Sequence, residues 1–325
     1  MKNYSYLLTG LCAFIIIIGV YFFLSSHQAG ETRQDQRELL AGSYVYSMPV
    51  PDYVEFCGKK ISLDRYDMHE RYDRELNALT YLHSTTILLM KRANRYFPII
   101  EPILKKNNIP DDFKYLAIVE SSLNTRAVSP AKAAGLWQFM PETAKRYGLE
   151  VNDQVDERYH IEKATEAACK YLSEAYYRYG DWASVAASYN GGMGRISSEL
   201  NNQMANNSFD LLLVEETSRY VFRIMATKEI FKNPVKYGFV VKKEDLYPAI
   251  RTKKVQVYDN IPDLTEFARG NNISYYQLKE FNVWLRDRSL TISPKNPKTY
   301  TIDIPVVDDL YYSRNKNWNK EFFVH

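Results

Sequence analysis

The chain has 325 residues, with 42 Lys+Arg against 39 Asp+Glu and a net charge of +3. That length suits one sizeable core and a small second module. Near-balanced charge without a dense basic tract argues against a nucleic-acid partner and leaves only a slight lean towards anionic polymers.

Residues 6–24, YLLTGLCAFIIIIGVYFFL, carry no charge. About 20 such residues span the hydrocarbon core of a bilayer. Lys2 and the amino terminus precede the run, which places residue 1 on the cytoplasmic side and the rest of the chain outside the inner membrane. A cleaved signal peptide is the rival reading, but its apolar region is usually about 7–15 residues and ends at a small-x-small site. This run is longer and LSSHQAG is a poor site, so an uncleaved anchor over 1–30 is expected. Cys12 follows Leu11, where a lipidation motif needs a small residue, and is read as membrane-facing. With Cys57 and Cys169 it makes three cysteines, too few for a disulfide framework. Whether Cys57 pairs with Cys169 stays open. The five histidines show no metal-ligand spacing, so neither a metal nor a cofactor is expected.

Residues 31–75 are polar with scattered aromatics and read as a tether ending in a short extended segment around SMPVPDYVEF. From Leu76 the pattern turns helical, with Leu76, Leu79, Leu82, Leu88 and Leu89 at helical spacings. Pro98 and Pro102 bracket a short helix. NNIPDDF (107–113) then ends it and opens the next, with Asp111 and Asp112 suited to a first turn. Over 111–232 apolar residues recur at i, i+3, i+4, as in Ala164, Ala167, Ala168, Tyr171, Leu172 and Ala175. So many alanines imply close helix–helix approach, hence a mainly α domain over 76–235. After Pro234, YGFVV, KKVQVYD and KTYTIDIPVV look β-like and 263–282 looks like helix–turn–helix. This predicts a small α+β module over 250–306 and a tail over 307–325.

If 111–122 is helical, Phe113, Leu116, Ala117 and Glu120 share one stripe at i, i+3, i+4, i+7. Glu120 then sits among apolar neighbours, where desolvation disfavours the carboxylate and raises its pKa, as a general acid requires. The plainer reading is a helix cap or an ion pair with Arg126, and on the stripe alone that is the commoner outcome.

Four ordered motifs reverse the balance. They are Glu120-Ser121, the segment Ser129 through Met140, Ser188-Tyr189-Asn190, and Glu216-Thr217-Ser218-Arg219-Tyr220-Val221. Over about 110–232 the chain resembles the lysozyme-like soluble lytic transglycosylase family, glycoside hydrolase family 23, and especially its membrane-bound D type. The resemblance implies a lysozyme-like helical catalytic domain with Glu120 as acid/base. It implies that Ser129 hydrogen-bonds near the reacting sugar and that Gln138 and Met140 line the cleft. Tyr189 and Asn190 would hold Glu120 or the substrate, and Tyr220 would close the site. Trp137 and Phe139 read better as core than as a sugar platform, and Tyr189 has a packing reading at a helix end. The family usually has glycine where this chain has Lys132 and alanine where it has Ser188. Lys132 removes a flexible position from the loop bearing Ser129, so loop geometry or substrate preference is expected to differ, whereas Ser188 adds only a hydroxyl.

Ordinary glycosidases need two carboxylates, about 5–5.5 Å or 6.5–9.5 Å apart. The matched motifs supply only Glu120, and neither Glu216 nor Asp181 has an assigned role. As in the family, Glu120 would protonate the bond between N-acetylmuramic acid and N-acetylglucosamine, then close a 1,6-anhydro ring on the muramoyl sugar. A hydrolytic goose-type lysozyme-like muramidase and a non-catalytic peptidoglycan-binding scaffold are the alternatives. DLTEFARGNNISYYQLKEFNVWL (263–285) and TIDIP (301–305) resemble a LysM peptidoglycan-binding module, although YDNIPDL (258–264) stands where its early G-D-T motif belongs. The partners implied are peptidoglycan strands and the membrane. Whether the module binds glycan, and whether the chain joins a cell-envelope complex, stays open.

Overall fold

The computed structural model describes residues 45–294 and 297–318. The anchor expected at 6–24, Cys12, the first part of the tether and the end of the tail lie outside these residues. No helix among the described residues is long and apolar enough to cross a membrane.

The first elements correct the tether reading. Tyr53–Phe56 (β1) and Lys59–Ser62 (β2) form an antiparallel hairpin in which Phe56 faces Lys59. Between them Cys57 and Gly58 have φ of +50° and +78°, the pair of positive values that a tight primed turn needs. Val54, Phe56 and Leu63 are buried in the main core. Helix α1 (Tyr66–Tyr81) follows and begins well before Leu76. Its inward residues Met68, Tyr72 and Leu76 repeat at i, i+4, i+8, a stripe that the charged residues between them obscure in the sequence.

Helix α2 (His83–Lys106) also differs from expectation, because Pro98 and Pro102 lie inside it and do not bracket a shorter one. An interior proline removes one backbone bond and crowds the carbonyl four residues back. The four-residue spacing puts both on one face, and both are exposed. Solvent can therefore reach the carbonyl of Pro98 that Pro102 frees, while Phe97, Ile100 and Leu104 stay fully buried on the other side.

A short central helix, α3 (Lys114–Ser121), continues from a single 3-10 turn at Asp111–Phe113. Helices α4 (Pro141–Arg146), α5 (Ile161–Tyr179), α6 (Trp182–Gly191), α7 (Met193–Asn202) and α8 (Glu215–Lys232) complete the mainly helical domain. In α5 the expected alanine face is buried, and Gly180 ends the helix at φ +63°. Asp181 then caps α6, its side chain accepting the Ser184 amide at 2.9 Å. Helix α8 packs on α1, α3 and α6 and joins the layers.

The C-terminal module has its own core. β3 (Thr252–Val257) pairs antiparallel with β4 (Tyr300–Pro305), Val257 facing Tyr300. Between them lie α9 (Leu264–Gly270) and α10 (Tyr275–Phe281), with Leu264, Leu278, Trp284, Leu285 and Ile302 buried together. YGFVV (237–241) is not a strand, and its Phe239 and Val241 fill the main core instead. Both cores belong to one unit that begins at Met48. Cys57 and Cys169 are free thiols.

Candidate active site

Helix α3 is buried almost all round: Tyr115, Leu116, Ala117 and Ile118 are each at most 5% exposed. A helix buried on nearly every side is an interior element, and Glu120 lies in its last turn. Ser122 and Leu123 then turn the chain away, with φ of +54° and +52°. Glu120 itself is half-buried. Its Oε1 accepts a hydrogen bond from the hydroxyl of Tyr220 in α8, a residue 2% exposed.

Burial is the largest influence on the Glu120 carboxyl and lifts its pKa to about 7. The Tyr220 hydrogen bond pulls it down, the negative charge of Glu216 pushes it up, and Arg223 pulls it down. Arg223 is steadied by Glu75, which is 1% exposed and accepts from Arg223 Nε at 3.2 Å and from Arg219 Nε at 2.5 Å. Arg126 does not neutralise Glu120. It pairs with Glu280 of the C-terminal module at 2.9 Å.

The loop opposite is a tight double turn. Ser129 Oγ accepts the Ala133 amide at 3.0 Å, and the Ser129 amide donates to the Ala133 carbonyl at 2.9 Å. Gln138 adopts φ +47°, and its Nε2 donates to the Gly135 carbonyl at 2.8 Å. Met140 starts α4 and is 43% exposed. Trp137 and Phe139 are core, as expected, and Trp137 Nε1 donates to Thr165 Oγ1 at 2.9 Å.

The tyrosine and asparagine of the third motif hold the frame. Tyr189 donates to the Trp137 carbonyl at 2.8 Å, with its ring edge-on to Tyr171 and Phe139. Asn190 Oδ1 accepts from Thr217 Oγ1 at 2.7 Å and ties α6 to α8. In this geometry Tyr220 holds Glu120, whereas Tyr189 holds the loop. The extra hydroxyl of Ser188 is spent internally on the Val185 carbonyl at 2.8 Å. Lys132 has φ +67°, a conformation that glycine enters freely and lysine does not. Asp181, besides capping α6, pairs with Lys59 at 3.5 Å.

Thr217, Arg223 and Glu75 received no role from the sequence. Thr217 lies inside the fourth motif and Arg223 one turn past Tyr220, so both were within reach of a helical-face argument. Glu75 is brought in from α1 by packing alone.

With this geometry in hand, comparison with known proteins is informative. Residues 97–211 match the Transglycosylase SLT domain, and residues 253–308 match the Soluble lytic transglycosylase C-terminal LysM-like domain. The chain thus combines an SLT domain with a LysM-like C-terminal domain. It is similar to the membrane-bound lytic murein transglycosylase D of Escherichia coli strain K12, 30% identical over 254 residues, and equally to that of strain CFT073. These alignments take in 75% of this chain and 54% of the relative, so the chain spans about half the length of the relatives it matches. The 70 kDa soluble lytic transglycosylase of E. coli matches at 24% identity and TM-score 0.36, covering 44% of this chain and 24% of that one.

Proposed function

We propose that the chain is a peptidoglycan lytic transglycosylase with a lysozyme-like cleft, acting on the bond between N-acetylmuramic acid and N-acetylglucosamine. Attachment through residues 6–24 would place it on the outer side of a bacterial inner membrane. The observation that carries this reading is Glu120, a half-buried carboxyl of the matched SLT domain with a pKa near 7, held by the Tyr220 hydroxyl.

In its protonated form Glu120 gives its proton to the glycosidic oxygen as the bond to muramoyl C1 breaks. The carboxylate left behind takes the proton of the C6 hydroxyl on the same sugar, whose oxygen closes on C1. Glu120 ends protonated and no water is consumed, so one carboxyl serves both steps. The Tyr220 hydrogen bond stabilises the carboxylate that exists between them. Ser129, Gln138 and Met140 are the proposed substrate wall. Tyr189 and Asn190 act by holding that wall and α8.

One observation favours a second reading. Glu216 is exposed and its charge acts on Glu120, so it is the candidate second carboxylate of a water-using muramidase. Mass spectrometry of fragments released from purified sacculi separates the two. The lyase reading expects anhydro ends from the wild type and from Glu216→Gln, and no release by a normally folded Glu120→Gln. Reducing ends that vanish in Glu216→Gln would establish hydrolysis. Sacculus binding without any cleavage would establish a scaffold.

A further inference from the structure

The loop that carries Ser129, Gln138 and Met140 is not held by the catalytic domain alone. Ala134, at its centre, is fully buried in the hydrophobic core of the C-terminal module, together with Val155, Tyr159, Leu264, Trp284 and Leu285. The segment before Tyr159 pairs with the module's own backbone. The Asp156 amide donates to the Trp284 carbonyl at 2.9 Å, and the Arg286 amide to the Gln154 carbonyl at 2.8 Å.

Arg158 carries this contact into the loop. Its guanidinium is gripped by Asp156 through Nε to Oδ1 at 2.9 Å and Nη2 to Oδ2 at 2.7 Å. Its remaining nitrogen, Nη1, donates to the Lys132 carbonyl at 2.7 Å and to the Phe139 carbonyl at 3.1 Å. Those two carbonyls flank residues 133–138 of the loop, so one guanidinium nitrogen holds both sides of its central part. The Arg158 carbonyl lies so near Gly135 that a Cβ there would come within 1.9 Å, which fixes the middle as well. The pair is 8% and 6% exposed, far more buried than a solubilising surface pair. A planar guanidinium suits this task because Asp156 locks its plane while the outer edge still donates.

We infer that Arg158, oriented by Asp156, is a positioning residue for the substrate wall, and that docking of the C-terminal module on Val155 and Asp156 sets the wall's geometry. The module is then a working part of the active site, whether or not it binds glycan. The inference rests on the reading of the Ser129–Met140 loop as that wall.

The test is hydrogen exchange of residues 127–140 in the full chain, read beside fragment release from sacculi. Arg158→Met is expected to speed exchange in this loop by about tenfold or more, as loss of charge-assisted bonds on both sides of its central part implies. Exchange in α3 and α8 should stay as in the wild type. Leu285→Ala, acting from the module side, is expected to speed the same loop. Combined with Arg158→Met it should add less than the product of the two effects, because both act through one element. In fragment release, KM should rise about tenfold with little change in kcat and no shift of the pH profile, since a displaced wall weakens binding and leaves Glu120 untouched. Should Arg158→Met not fold, Arg158→Lys decides. It keeps a charge for Asp156 but cannot span both carbonyls, so the loop must still exchange faster. Unchanged loop exchange in a folded variant would overturn the inference, as would equal acceleration throughout the domain or strictly multiplicative double-variant effects. If the wild type releases no fragments, the enzymatic reading fails, and loop exchange still decides the clamp.

Discussion

At Glu120 two opposed influences meet on one carboxyl. Burial favours the protonated form and the Tyr220 hydroxyl favours the carboxylate, leaving the pKa near 7. The proposed first step needs the proton, so activity should be level below that pH and fall about tenfold per unit above it. Removing the phenol hydroxyl takes support from the carboxylate alone, so Tyr220→Phe raises the Glu120 pKa further. A hydrogen bond to a charged group is worth about 1.5–3 kcal/mol, or roughly one pH unit or more. The basic limb of the profile should therefore move to higher pH, while the maximum rate falls because the intermediate carboxylate loses its donor. A pH–rate profile on sacculi checks this, and a limb that stays put or moves down would remove Tyr220 from the acid's control.

At the scale of elements, the loop over 127–140 shows how a departure from the family pattern is absorbed. Lys132, where the family usually has glycine, adopts φ +67°, and its amide still donates to the Ser129 carbonyl at 2.8 Å. That φ places local backbone strain at Lys132. A non-glycine residue in this region costs about 1–2 kcal/mol, partly offset by the extra freedom glycine has when unfolded. Lys132→Gly should accordingly raise stability by about 0.5–1 kcal/mol in denaturant titration, with fragment release unchanged. Lower stability would mean that the lysine side chain contributes more than its backbone costs. Helix α2 holds two prolines that the sequence presents as boundaries. Their effect on a helix depends on which face they occupy, and that face is known only once the helix is packed.

At the scale of the whole molecule, the hairpin, the 3-10 turn that leads into α3, and α8 meet at one buried ion pair. Lys228 Nζ, on a side chain 5% exposed, donates to Asp112 Oδ2 at 2.6 Å and to the Glu55 carbonyl at 2.9 Å. The other contact of Asp112 Oδ2 is the Cys57 amide in the hairpin turn, at 2.6 Å. Asp112→Ala leaves the turn amide of Cys57 without its acceptor and leaves the buried ammonium only the Glu55 carbonyl and, at 3.6 Å, the Glu55 carboxylate. Breaking a buried pair on one side costs about 3–5 kcal/mol, which should appear as a lower midpoint in denaturant unfolding. A loss below about 1 kcal/mol would place the pair among the weak surface bridges. The hairpin is thus part of the helical domain's foundation, although its charged, aromatic sequence reads as a tether.

What the sequence determined by itself is local and periodic. The stripe through Glu120, the alanine face of α5, the helix–turn–helix over 263–282 and the strands at either end of the C-terminal module all follow from spacing, and all are present. What tertiary structure alone decided is which groups face one another. Tyr220 reaches Glu120 across 100 residues, Glu75 steadies Arg223 from a separate helix, and Arg158 joins the C-terminal module to the loop over 127–140. Periodicity reports which side of an element is inward, because burial acts on each residue in turn. It carries no record of what lies on the other side of the contact, since hydrogen-bond partners and charge neighbours are chosen by packing.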